Sequence, residues 1–259
     1  MSSILQTAER SSKLDPSENV IFQRHLIAYK ECINLISGTV LEIGSGEGYG
    51  IKELSPKSQK YIAIDKFETE IDLSKNQDSD IEFLKMNVPP LTDIDDNSID
   101  FVVTFQVIEH IKNDKEFVKE IFRVLKKGGK LILTTPNILM SLSRSPWHIR
   151  EYNPLEMKEI LLTSFNIVDV KGVYGNDKVM NYYQKNKESV EKIRKWDIFG
   201  MENYMPRWIL QIPYDILNRF NRYKLHKRNS KLVDKVTYKD YFIDDVSDQC
   251  LDFFCISTK

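Results

Sequence analysis

The stretch VLEIGSGEGYG, residues 40–50, places Gly44, Gly46, Gly48 and Gly50 within seven positions directly after an apolar run. Glycine tolerates positive φ and lets a ligand approach the main chain, so such a run after a strand is a candidate binding loop. The spacing is not that of a diphosphate site. Gly44, Gly46 and Gly48 read G-x-G-x-G, with Tyr49 where a dinucleotide fingerprint has its third glycine, and no Gly-Lys-Ser or Gly-Lys-Thr follows. Glu42, two residues ahead of the loop, would repel a polyanion and suits a ligand with an ammonium or sulfonium group. Together with Ser45 inside the loop, these residues point to S-adenosylmethionine, which carries a cationic sulfur, an amino group and a ribose but no phosphate.

Further candidates follow at set distances. Asp65 ends a second apolar run about twenty residues on, where a carboxylate accepts hydrogen bonds from both ribose hydroxyls, with Lys66 beside the adenine or ribose. In MNVPPL, Asn87 is placed to bind the adenine amino group and the Val88 N–H a ring nitrogen.

The elements that must hold these residues alternate. From Asn19 to Ser37 apolar residues recur at steps of three and four, which predicts a helix. The runs TVLEI, YIAID, IEFLKM, IDFVVTF and KLILTTP read as strands, with helical patterns between several of them. In DKEFVKEIFRVLKKGG, Asp114 is expected to cap a helix and Gly128 and Gly129 to end it, after Lys126 and Lys127. A helix over residues 154–163, the strand FNIVDVKGVYG and a closing strand CLDFFCIS follow. Continuous apolar strands separated by helices predict an α/β, doubly wound sheet covered on both faces, which binds ligands at the carboxyl ends of its strands.

Over residues 24–129 the motifs VLEIGSGEGYG, YIAID, MNVPPL, SIDFVVTFQVIEHI and FRVLKKGGKLILTTPN occur in order. In this the chain resembles the class I S-adenosylmethionine-dependent methyltransferases of the small-molecule O- and N-methylating type. The resemblance implies a Rossmann-like seven-stranded sheet, mostly parallel with the last strand antiparallel, and cofactor across the ends of strands one to four. It also implies that the Gln106 carbonyl lies near the methionyl amino group. RHLIAY is similar to a His-x-x-Arg-Tyr element of some members, which brings Tyr29 to the cofactor; Ala28 stands in place of the arginine. Asn87 stands where the family usually has Asp, giving adenine a neutral partner.

Methyl transfer is an in-line displacement at carbon that depends on aligning acceptor and sulfonium in a dry pocket. An acceptor hydroxyl also needs a base, and histidine suits that task near neutral pH. His110, just beyond the fourth strand, is one candidate; the other reading makes it a loop histidine that braces the pocket. The second is His148 in SPWHIREYNP, residues 145–154, expected either to meet the acceptor or to begin a helix with Trp147 as a packing anchor. With no HExxH, CxxC or Asp-rich loop, no metal is expected.

Composition bounds the rest. The 259 residues are 41% hydrophobic and 11% aromatic with net charge -1, which fits a folded protein and predicts no nucleic-acid partner. Three cysteines without a CxxC pair and a polar lead-in over residues 1–18 predict a cytoplasmic protein. Residues 19–259 read as one methyltransferase domain in which 176–245 is a basic, partly helical insertion. Within it, residues 206–228 join an apolar face to a cluster of cations. Three readings stand open: an interfacial helix in peripheral contact with a membrane, a basic rim for an acidic substrate, or a helix whose apolar side packs on the sheet. The expected reaction is methylation of a small or carrier-linked acceptor, at oxygen, in cell-surface polysaccharide or secondary metabolism, with S-adenosylhomocysteine as product. The alternatives are a quinone or phenol O-methyltransferase and a non-catalytic S-adenosylmethionine-binding partner protein. The oligomeric state is not encoded in any motif.

Overall fold

The computed structural model describes residues 15–67, 80–195 and 205–259. Two compact units emerge. A sheet unit takes the described residues of Ile27–Met140, Arg150–Tyr174 and Ile243–Lys259, and a helical unit those up to Leu26, Ser141–Ile149 and Gly175–Phe242.

Eight strands form one sheet: β1 Thr39–Ile43, β2 Lys60–Asp65, β3 Asp80–Lys85, β4 Ile99–Phe105, β5 Leu125–Pro136, β6 Ile167–Gly175, β7 Tyr241–Asp245 and β8 Asp252–Thr258. Their order is β3-β2-β1-β4-β5-β8-β6-β7. β1 to β5 pair in parallel with one another, and β8 runs antiparallel to both β5 and β6. The expected seven strands become eight, because β7 from the end of the insertion adds an edge strand beside β6.

The central strands are buried on both faces, which is why they read as near-continuous apolar runs. On one face Leu41, Ile43, Ile62, Ile64 and Leu131 share a core with Phe117, Ile121 and Val124 of helix α3, Asp114–Val124, and Met157 and Leu161 of helix α4, Pro154–Leu162. α4 begins with a capping box in which Asn153 and Glu156 exchange side-chain and backbone hydrogen bonds, with Pro154 in the first turn. The opposite face of β1 carries Glu42 and meets helix α1, Asn19–Cys32, through Tyr29.

The end of α3 departs from expectation. The helix stops at Val124, and Lys126, Lys127, Gly128 and Gly129 lie inside β5. The register of β4 and β5 shifts between Ile99 and Phe101, so the glycines serve a bulge. A Cβ at Gly129 would sit 2.9 Å from the Lys126 oxygen and 3.0 Å from that of Asp100, an approach open only to glycine. Asp114 does not cap α3 either. Asn113 holds the cap position, and the Asp114 carboxylate accepts from Lys115 N at 2.8 Å and from the Tyr152 hydroxyl at 2.9 Å.

The helical unit is built on α5, Asp177–Arg194, and α6, Arg207–Val233. Polar bonds knit it together: buried Asn221 on α6 joins Asn186 and Ser189 of α5, Arg222 pairs with Glu18, and Asn19 donates to the carbonyls of Val233 and Val236. Along α6 the apolar residues are exposed, Trp208 at 72% and Ile212 at 68%.

Candidate functional site

The sheet order places the ends of β3, β2, β1 and β4 side by side. Neighbouring strands lie about 4.8 Å apart, so these four ends line a strip about 14 Å long. Strand succession reverses between β1 and β4, the switch point at which open α/β sheets take their ligands.

The glycine loop is folded over the end of β2. Gly44 and Ser45 both donate to the Ile64 carbonyl, at 2.8 and 3.1 Å, and Gly48 N donates to Ser45 O at 2.8 Å. Gly44, Gly46 and Gly48 all have positive φ, and no atom lies within 4 Å of where a Gly46 Cβ would stand. The loop therefore presents bare backbone to open space at its tip. Gly46 N donates to Asp65 Oδ2 at 2.9 Å and Phe67 N to Asp65 Oδ1 at 2.9 Å, which fixes the carboxylate at the strand end. Met86 N bonds the Asp65 carbonyl at 2.9 Å, bringing exposed Asn87 and half-buried Val88 beside it at the end of β3. Lys66 is exposed, its ammonium 5.0 Å from the Phe67 ring centroid. Gln106, at the end of β4, has φ 57°, a strained left-handed conformation held by its N–H to Thr134 O at 2.9 Å.

Glu42 lies beneath the loop rather than in it. Its carboxylate accepts from Tyr29 OH and Tyr61 OH, both at 2.8 Å, and is 1% exposed. Burial raises its pKa to about 7; the two phenol hydrogen bonds pull it down and the nearby Asp65 charge adds to the rise. Burial likewise holds the Tyr29 and Tyr61 hydroxyls well above their usual range. Tyr29 is also gripped edge-on by Phe105 and Tyr49, with centroids 4.7 and 5.3 Å away. Reading the residues in isolation misses Tyr61 and Phe105. The one available signal is that Tyr61 precedes by two the register partner of Glu42, Ala63, and so shares its face.

These features fit a nucleoside that carries positive charge and no diphosphate: two carboxylates flank the loop, and space is open beside Gly46, whose own amide is taken by Asp65. Residues 41–133 match the family model for a methyltransferase domain. Over 175 residues the chain is 36% identical to a probable S-adenosylmethionine-dependent methyltransferase of Mycolicibacterium smegmatis, covering 65% of this chain and 68% of that one. The chain belongs to the class I S-adenosylmethionine-dependent methyltransferases. This methyltransferase is also similar to a ubiquinone biosynthesis O-methyltransferase of Rickettsia typhi, 26% identical over 158 residues that cover 53% of this chain and 63% of that one. Phosphoethanolamine N-methyltransferase 2 of Haemonchus contortus, in complex with S-adenosyl-L-methionine, shares its fold with TM-score 0.52 and 16% identity, over 96% of this chain and 58% of that one.

In this methyltransferase the two candidate bases belong to different units. His110 closes a short 3-10 turn, Ile108–His110, immediately after β4, half-buried, with its N–H on Val107 O at 2.9 Å. The preceding Glu109 is buried, accepts from Thr135 Oγ1 at 2.9 Å and takes the Arg150 N–H on its carbonyl, so it braces that turn. His148 lies in the helical unit, next to Trp147, whose indole donates to Asp215 of α6 at 3.0 Å. Tyr152, in the same expected acceptor patch, is a core residue with its hydroxyl on Asp114.

Proposed function

We propose that this methyltransferase moves the methyl of S-adenosylmethionine to a hydroxyl of a small or carrier-linked acceptor, in cell-surface polysaccharide or secondary metabolism. S-adenosylmethionine supplies a methyl activated on a cationic sulfur. The chain's own residues hold and orient it: Asp65 takes the ribose hydroxyls, Asn87 and the Val88 N–H the adenine edge, the loop of Gly44, Ser45, Gly46 and Gly48 the amino-acid portion, and the Gln106 carbonyl the amino group. Lys66 stands at the adenine side. Glu42, held by Tyr29 and Tyr61, adds negative charge beneath the site as it ionises. His110 receives the acceptor's proton, with His148 as the alternative base.

The observation that carries this reading is the Asp65 carboxylate, held at the end of β2 by the Gly46 and Phe67 amides and facing the glycine loop. Calorimetric titration tests it. Wild-type protein is expected to bind S-adenosylmethionine and S-adenosylhomocysteine, and Asp65→Ala to weaken both by about 1 to 3 kcal/mol, the loss of hydrogen bonds to a charged group. Unchanged affinity would remove Asp65 from the ribose.

A quinone or phenol hydroxyl is the second reading, favoured by similarity to a ubiquinone biosynthesis O-methyltransferase. Release of S-adenosylhomocysteine across polysaccharide, phenol and quinol acceptors separates the two. With the true acceptor, His110→Ala is expected to slow turnover by about 100-fold or more at near-normal cofactor affinity. A fully active variant passes the role to His148.

A further inference from the structure

The helical unit carries a surface outside the residues proposed above to hold the cofactor or take the acceptor's proton. α6 has seven Lys or Arg against one acid, Asp215, whose carboxylate accepts from the Trp147 indole. Successive helical residues turn by about 100°, which gathers Trp208, Ile212, Ile216, Phe220 and Tyr223 into an arc of about 120°. All five are exposed, from 72% at Trp208 to 60% at Phe220 and Tyr223. A single exposed apolar residue is ordinary; a stripe of five along one helix marks an interaction surface.

The charges stand beside that stripe. Exposed Lys227 continues the apolar arc toward the C-terminal end of α6, and Lys231, also exposed, follows the bend at Asn229. Lys224 and Arg228 turn toward its flank and, with Lys185 and Lys192 of α5, line a cleft of about 300 Å³ in which Glu188 is the acid. The cleft sits at a bend: Asn229 leaves helical geometry at φ -133° and ψ 31°, and its side-chain oxygen accepts from Lys185 Nζ at 2.8 Å. Four cations around a cleft at the border of an aromatic and aliphatic stripe match an anion attached to an apolar body.

We propose that α6 lies along an anionic membrane surface, its stripe at the headgroup and acyl boundary and its cationic cleft around a lipid phosphate. Charge complementarity selects this occupant. A second copy seated on the stripe would bring two strongly cationic helices together, which repel. Among the described residues no helix is long and apolar enough to cross a membrane, so α6 rests on the surface. Trp208, Phe220 and Tyr223 are the amphipathic anchors that such an interface favours. The inference stands apart from the identity of the methyl acceptor.

Vesicle flotation of the full chain tests it. Binding is expected to phosphatidylcholine vesicles containing phosphatidylglycerol, weakly or not at all to phosphatidylcholine alone, with release at raised salt. The exposed-site variants I216D/F220D and K224E/R228E are each expected to lower that binding by about tenfold or more, while circular dichroism melts and S-adenosylmethionine affinity match the parent. Three results would overturn the proposal: no preference for anionic vesicles, unchanged binding by both variants, or a dimer in sedimentation that I216D/F220D dissolves. Inorganic phosphate titrating the cleft of a protein that ignores vesicles would equally refute it.

Discussion

Glu42 shows how a residue's chemistry changes with burial. In the chain it is an acid ahead of a glycine loop; in the fold it is enclosed with two phenols, and its carboxyl titrates at about 7 instead of 4.5. The unfolded chain ionises this group more readily than the folded one. Its contribution to stability is thus intact below about pH 4.5 and is lost as pH rises through about 7. Glu42→Gln, which keeps a hydrogen-bonding amide at the site, is expected to flatten that slope by an amount on the order of 3 kcal/mol between pH 4.5 and 8. Urea melts of both proteins across this range check it, and parallel slopes would place the carboxylate in a wetter site. The places of Asp65 at a strand end and of the glycines in a turn after β1 were legible because a strand-ending acid and a G-x-G-x-G spacing are local patterns. The phenols were not, because Tyr29 and Tyr61 reach Glu42 from other elements, 13 and 19 positions away.

At the scale of elements, the turn from β1 into the short helix α2, Tyr49–Leu54, contains glycines with opposite duties. Gly46 borders open space, whereas a Cβ at Gly50 would collide with the Glu42 carboxylate and the Tyr29 ring. Gly46→Ala is expected to cost about 1 kcal/mol of stability from its left-handed φ, and to lower S-adenosylmethionine affinity by more than that. Gly50→Ala is expected to destabilise by about 1 to 3 kcal/mol through overpacking. Chemical melts paired with calorimetry separate the two patterns, and equal effects on both readouts at both sites would contradict the loop's division of labour. Most strands could be read from their apolar runs. The α3 to β5 junction could not, since Lys-Lys-Gly-Gly looks the same at a helix end and in a bulge. What decides is the approach of the Ile99 and Asp100 carbonyls from β4, which only a glycine at 129 admits.

At the scale of the whole molecule, the residues proposed to hold the cofactor belong to the sheet unit and α6 to the helical unit. S-adenosylmethionine at about 100 times its Kd is expected to raise stability by about 2.7 kcal/mol, since it binds the folded chain alone. The shift should persist in I216D/F220D and shrink in Asp65→Ala, a contrast that thermal melts with and without ligand can read. A lost shift in I216D/F220D would tie the helical unit to the cofactor site. The amino-acid sequence by itself determined the fold class, the order of the strands to β5 and the cofactor class, because glycine spacing, strand-ending acids and apolar periodicity are short-range features. Only the tertiary structure decided that β7 extends the sheet to eight strands, that Tyr152 turns its hydroxyl to Asp114, and that the apolar residues of α6 are exposed. Each of these depends on which distant segment arrives as a neighbour. Arg222 of α6 meets Glu18 across 204 positions, and an apolar stripe in a sequence looks the same whether another element covers it or none does.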